Sequence, residues 1–269
     1  MIQSIAVLIT CHNRKTKTLA CLDALYKCKV PEGYEYSIFL VDDGSTDGTS
    51  DAVIVSFPEV HIIQGTGNLY WNRGMYLAWK TASDTFDYDL YLWLNDDTFL
   101  YEDALIHLLS ATKNFNSKAI IVGTTFTNNK IISYGGFDLR RRIIEPNGEL
   151  QECDFFNGNC VLIPKHVFSK VGNLDYRFHH SLGDIDYGIR AGKINIKRYV
   201  IGQVIGACEL HENSPKWLDK NELLISRLKA LYSPLGCNPF QFFVFDYRQN
   251  NILVAIKHFI SIHYKAIFP

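Results

Sequence analysis

The chain has 269 residues, 47% hydrophobic and 20% charged, which suits one large domain, or one domain with an appendage, around a packed core and excludes global disorder. Its formal net charge of −1 gives no electrostatic basis for nucleic acid as a partner, although from Lys216 onward seven Lys and Arg face three Asp and Glu, a local +4 against −5 for the rest. Seven cysteines at irregular spacing, with no CxxC, argue against a disulfide framework or a cysteine zinc site and fit reduced thiols in a cytosolic protein.

In chain order, "SIAVLIT" (4–10) reads as a buried strand and "TLACLDALY" (18–26) as a helix with Leu19, Leu22 and Leu25 or Tyr26 on one face. "SIFLV" (37–41) and "VHIIQ" (60–64) are the next strands. A helix over 71–82 carries Trp71, Met75, Ala78, Trp79 and Ala82 on one stripe. "LYLWL" (90–94), a helix over 102–113 and the strand "AIIVG" (119–123) complete the first half. Such alternation predicts a mostly parallel sheet with crossover helices. Beyond Gly123, turn residues announce hairpins. "CVLIP" (160–164) returns to strand, and Pro164 can open a helix. A helix over 184–192, a strand over 197–202 and a helix over 216–232 follow, and the tail from Phe240 is aromatic and helical. The N-terminus shows no signal peptide. The apolar tail 252–268 is interrupted by Lys257, His258, His263 and Lys265 and is not expected to span a membrane.

The chemistry gathers where strands end. In an open α/β sheet, ligands bind beyond the carboxyl ends of the strands. Three such ends are polar: "TCHNR" (10–14), "DDGSTDGT" (42–49) and "NDDT" (95–98). "DDGSTDGT" also fits a turn followed by a helix cap. "NDD" is more specific, because two adjacent carboxylates closing a buried strand are costly unless they meet a cation, and hard divalent cations take oxygen ligands. In "GDIDYGIRAGK" (183–193), Asp184 and Asp186 begin a helix, where carboxylates suit the dipole or where one can act as a general base. His211, in "CELHEN", is a candidate nitrogen ligand.

Taken in order over residues 4 to 213, the pieces "TCHNR", "VDDGSTDGT", "GNLYWNRGMYLA", "LNDDT", "GNCVLIP", "GDIDYGIR" and "HEN" resemble the inverting glycosyltransferases of family 2. The nearest flavour is the bacterial rhamnosyl- and galactofuranosyltransferases of surface polysaccharide synthesis, O-antigen and capsule among them. The resemblance implies a GT-A fold, with a Rossmann-like, mostly parallel sheet. It divides the chain into a transferase domain over 1–215, with a nucleotide-binding half to residue 125 and an acceptor half after it, and a helical extension over 216–269. It implies a nucleotide diphosphate sugar as donor, dTDP-rhamnose or a UDP-sugar, a glycan or lipid-linked glycan as acceptor, and Mg²⁺ or Mn²⁺ as cofactor. Thr10, His12, Asn13 and Arg14 would flank the nucleotide. Asp43 would bond its base, with Asp42, Gly44 and Ser45 in the same motif, and Asn68, Arg73 and Gly74 would help hold it. Asn95 and Asp96 would sit near the ribose or phosphates, Asp97 and His211 would ligate the metal, and Asp184 would be the catalytic base. Gly158 and Asn159 would face the acceptor. Two departures are Asn95 and Gly183, where the family usually has acidic residues.

Two other functions compete: a nucleotidyltransferase, against which "TCHNRKTKT" offers no glycine in its phosphate loop, and a non-catalytic sugar-nucleotide binder, against which both Asp97 and Asp184 are retained. In the tail, Ile252, Ile256, Phe259, Ile260 and Ile267 fall near one helical face, with Lys257, Ser261 and Lys265 on another. That face would pack on the protein's own core, on a second subunit in a homodimer, or on the inner membrane surface, making the protein cytoplasmic or peripheral.

Overall fold

The computed structural model describes residues 2–210 and 215–269. Strand β1 (Gln3–Cys11) leads through α1 (Lys15–Tyr26) to β2 (Tyr34–Asp42), α2 (Thr49–Ser56), β3 (His61–Gln64), α3 (Tyr70–Thr85) and β4 (Leu90–Leu94). A short β5 (Phe99–Leu100), α4 (Ala104–Lys113) and β6 (Ile120–Phe126) follow. Next come the small strands β7 (Ile132–Tyr134), β8 (Gly136–Phe137), β9 (Gln151–Glu152) and β10 (Phe155–Phe156). The second half runs through β11 (Cys160–Pro164), α5 (Lys165–Val171), α6 (Gly183–Lys193) and β12 (Arg198–Ala207). It ends in α7 (Leu224–Tyr232), α8 (Pro239–Gln249) and α9 (Ile252–Ile267).

The main sheet has the order β3-β2-β1-β4-β11-β6-β12-β5, parallel from β3 to β4, with β11 reversed between β4 and β6. Period-two alternation explains its two cores. Ile5, Val7 and Ile9 of β1 point to one face, packing with Cys21, Leu22 and Leu25 of α1 and Leu105 and Leu108 of α4. Ala6 and Leu8 point to the other, with Met75, Ala78 and Trp79 of α3 and Tyr187 and Ala191 of α6. Both faces being covered is why β1, β4 and β11 read as unbroken apolar runs.

The reversal of β11 matters for the site. Its first residue, Cys160, pairs with Leu94, the last of β4. The segment entering β11, Gly158 and Asn159, is therefore delivered to the edge where β4 ends, and the Asn95 amide donates to the Asn159 carbonyl over 3.0 Å.

The helix expected over 216–232 is broken. A single 3-10 turn covers Lys216–Leu218, and α7 starts only at Leu224. The Asp219 carboxylate accepts the Asn221 amide at 2.9 Å, a local bond that competes with helix continuation. All seven cysteines are free thiols and six are buried. No helix among the described residues is long and apolar enough to cross a membrane.

The extension is bonded into the rest of the molecule. Arg248 of α8 reaches the wholly buried Asp186 of α6 with both contacts at 2.7 Å and also pairs with Asp175. Arg190 and Gln249 complete the shell of Asp186. Phe245 packs on Phe178 and Leu182 beside this network.

Candidate active site

Because β2, β1 and β4 are parallel neighbours, the loops after Cys11, Asp42 and Leu94 emerge along one edge. The first two are laced together. The Asn13 amide donates to Ser45 Oγ at 2.9 Å, Asn13 Oδ1 accepts the Thr46 amide at 2.7 Å, and the Lys15 amide donates to Asp47 at 3.0 Å. His12 Nδ1 lies 2.7 Å from the Asp43 carbonyl, which makes it the protonated ring nitrogen.

Asp42 and Asp43 are both buried. Asp42 accepts the Ser45 amide at 2.8 Å and the Ser50 hydroxyl, forming the turn and cap that its sequence also fits. Asp43 accepts three backbone amides, from Gly67 at 2.8 Å, Leu69 at 2.7 Å and Tyr70 at 3.0 Å. A carboxylate offers about four acceptor directions, so one remains for a ligand. Gly44 makes this possible: its φ is +71°, and a Cβ there would fall 2.9 Å from Gly67 Cα. The clamp holds the segment carrying the exposed Asn68 and leads into α3, where Gly74 packs so closely on Thr10 that a Cβ would lie 2.2 Å from its hydroxyl. Arg73 turns away to the 176 loop, donating to the Tyr176 carbonyl at 2.9 Å and lying over its ring at 4.6 Å.

The third strand end holds the charge. Asp96 and Asp97 are buried, and Arg14 Nη1 lies between them, 3.0 Å from Asp96 Oδ1 and 2.8 Å from Asp97 Oδ2. Lys17 Nζ stands 3.9 Å from the same Asp97 oxygen. Burial first, helped by Asp97 and opposed by Arg14, pushes Asp96 up to about 6. Two carboxylate oxygens thus converge on one cationic nitrogen, a donor pair that fits a divalent ion completing its shell with substrate phosphates and water. Among the described residues no three His, Cys, Asp or Glu converge as a metal site, and His211 lies outside the described residues. Asp97 Oδ1 faces the buried Cys208 Sγ at 3.6 Å. Burial first, then Asp97, pushes that thiol up to about 12, so it stays protonated.

The opposite wall is built from α6. Asp184 lies in its first turn and accepts the Gly158 amide at 2.9 Å and the Ile185 amide at 2.8 Å. Burial raises its carboxyl above the ordinary range, and these two bonds offset part of the rise. Trp71 joins the walls. Its indole donates to Asn95 Oδ1 at 2.7 Å, and its ring packs on Gly158, where a Cβ would meet it at 2.3 Å. The Asn95 side chain therefore anchors this tryptophan. Gly183 is explained the same way: a Cβ there would fall 1.7 Å from Asn72 Oδ1, while Asn72 Nδ2 donates to the Asp175 and Phe178 carbonyls at 2.8 Å each.

Lys17, Cys208 and Asn72 were not legible as site residues. Lys17 was the most accessible, since it follows Arg14 by three positions at the start of a helix and so shares its face. A groove of about 530 Å³ between α6 and α8, lined by Ile189, Lys193 and Phe245 among others, contains none of the strand-end residues.

An open α/β sheet with paired carboxylates at its strand ends has a candidate ligand site along that edge. The chain belongs to glycosyl transferase family 2, whose model matches residues 6–172. It is similar to the N-acetylglucosaminyl-diphospho-decaprenol L-rhamnosyltransferase of Mycobacterium tuberculosis, 23% identical over 193 residues, or 58% of this chain and 61% of the relative. It therefore spans about three fifths of that relative's length. Among solved structures, S. aureus TarS covers 97% of this chain and 49% of its own with a TM-score of 0.61 at 14% identity. The mannosyltransferase PcManGT of Pyrobaculum calidifontis, in complex with GDP-Man and Mn²⁺, covers 99% of this chain and 73% of its own with a TM-score of 0.58 at 15% identity. The fold is that of the GT-A glycosyltransferases.

Proposed function

We propose that the chain is an inverting glycosyltransferase that moves a sugar from a nucleotide diphosphate sugar to a glycan hydroxyl, with Asp184 as the base. One observation carries this reading: buried Asp96 and Asp97 on the strand edge and Asp184 on α6 are tied into a single cleft through Trp71. Inversion is a single in-line displacement, which needs charge stabilisation on the leaving side and a proton acceptor on the other. Asp184 keeps acceptor capacity beyond its two amide bonds and can take the acceptor's proton, a contribution of about 10²- to 10⁴-fold in rate. Asp97, with His211 as the ligand expected beside it and Asp96 adjacent, would hold Mg²⁺ or Mn²⁺, which when bound supplies positive charge to the departing diphosphate. Arg14 and Lys17 add the chain's own positive charge at the same wall. The 65–70 segment clamped by Asp43, with Asn13, Ser45 and Asn68 around it, would receive the nucleoside.

The relative's name supports rhamnose as donor sugar and a lipid-linked glycan as acceptor, with dTDP-rhamnose as the donor that the family resemblance implies. A TarS structure in complex with UDP-GlcNAc supports a UDP-sugar as the alternative. PcManGT, solved with Mn²⁺, supports the divalent cofactor. The test is a thermal-shift panel of dTDP-, UDP- and GDP-sugars with Mn²⁺. A ligand at 100 times its Kd stabilises by about 2.7 kcal/mol. A thymidine or uridine compound should shift the protein, and Asp97→Ala should lose that shift. No response to any compound would contradict the reading.

A further inference from the structure

Helix α9 carries two apolar faces, and only one is used. Ala255, Ile262 and Ala266 are buried; Ile262 and Ala266 pack with Leu231, Leu228, Trp217 and Phe242. At 100° per residue, Leu253, Ile256, Ile260, Tyr264 and Ile267 project roughly 130° away from that face. They stand in the open: Leu253 is 74% exposed, Tyr264 62% and Ile260 61%. The exposed stripe continues sideways. Phe240 lies tilted against Phe259 at 5.6 Å between ring centres, the Tyr232 hydroxyl meets His263 at 2.6 Å, and both Phe240 and Tyr232 are themselves exposed. The helix that the sequence assigned to a core, a subunit or a membrane therefore meets the core through Ala255, Ile262 and Ala266 and leaves Ile252, Ile256, Ile260 and Ile267 outward.

Charge decides what covers them. Helix α9 contains Lys257 and Lys265 and no Asp or Glu. Asp246, on the packed helix α8, is buried and paired with His258 of α9. A second copy of this chain seated on the stripe would bring lysine against lysine with no carboxylate on either helix to pair them, whereas an anionic bilayer surface takes both the aliphatic stripe and Lys257 at its edge. We propose that the outer face of α9, continued by Phe240 and Tyr232, lies in the surface of an anionic lipid membrane, with the helix, about 24 Å long, in the membrane plane. This does not depend on the transfer reaction.

The experiment is flotation of the full chain with vesicles of phosphatidylglycerol and phosphatidylcholine in equal parts, and with phosphatidylcholine alone. The chain should float with the anionic vesicles at low salt and much less with the neutral ones. Ile256→Glu with Ile260→Glu should lose about tenfold or more of the bound fraction. That variant should melt at the wild-type temperature, since both side chains are exposed. Lys257→Gln should weaken anionic binding by about fivefold. Three results would each overturn the proposal: no flotation at low salt, equal flotation of the double glutamate variant, or a wild-type dimer that does not float and becomes monomeric in that variant.

Discussion

Arg14 sits with one nitrogen within 3.0 Å of two buried carboxylates, and this contact governs the charge at the strand edge. Arg14 is 34% exposed and Lys17 stays beside Asp97, so losing it costs less than the roughly 3–5 kcal/mol of a fully buried pair, yet it leaves two buried carboxylates side by side. Arg14→Met should therefore lower the melting temperature in chelator, and Mn²⁺ should restore the variant by more than it raises wild type, since the ion replaces the missing charge. Equal metal responses in the two proteins would argue that the carboxylates do not take a cation. Asp184 gives a pH prediction with a definite sign. Its carboxyl is held above the ordinary range, and a base works only when ionised, so kcat should fall on acidification at a pH above that of an ordinary carboxylate. An acid limb at the ordinary carboxylate pH would count against it. At Gly183, a Cβ meets the Asn72 amide, so Gly183→Ala should destabilise by about 1–3 kcal/mol. Asn72→Ala costs stability on its own by freeing two carbonyls, yet it opens the space. The double variant should then be more stable than the sum of the single losses, and strict additivity in urea titrations would dismiss the clash.

At the scale of elements, continuous apolar runs made β4 and β11 legible to the residue, and the polar runs that follow strands marked the cleft edge. What periodicity cannot carry is direction. "CVLIP" reads the same whether parallel or reversed, and its reversal is what brings Gly158 and Asn159 beside Asn95. Pairing across long separations was equally hidden. Asp186 reads locally as a helix-start carboxylate, and nothing in its neighbourhood points to Arg248, 62 positions away. Trp71 read as part of a packing stripe, and the structure shows it both packed and bonded to Asn95. The helix break near Asp219 was masked by apolar spacing on either side. Arg248→Met tests the bond between α6 and α8. It should cost on the order of 3 kcal/mol, at the low end for a buried pair because Arg190 and Gln249 still contact Asp186. Burial pushes Asp175 up, but bonds from Arg177 and Arg248 more than offset it and hold it well below the ordinary carboxylate range. Its contribution to stability is thus present above the ordinary carboxylate pKa and lost as pH falls toward the folded value. The variant should show a shallower acid loss than wild type, and parallel stability curves would contradict that.

Over the whole molecule, the cleft is assembled from two stretches of chain that meet through the sheet and through α3, whose Trp71, Asn72 and Arg73 contact Gly158 and the 175–179 loop. Residues 10–97 supply the strand ends, the Asp43 clamp and the Arg14–Asp96–Asp97 cluster, while residues 158–186 supply the facing carboxylate. The fold brings them together by inserting β11 next to β4, and α8 holds α6 in place behind Asp184. The central claim is that these walls divide the labour, with the donor on one side and the proton acceptor on the other. Its most direct test is turnover of the donor identified by thermal shift, compared between wild type and Asp184→Asn at donor concentrations saturating for both. The account predicts that the variant binds the donor within a few-fold of wild type and loses about 10²-fold or more in turnover. Turnover near the wild-type rate in Asp184→Asn would contradict it.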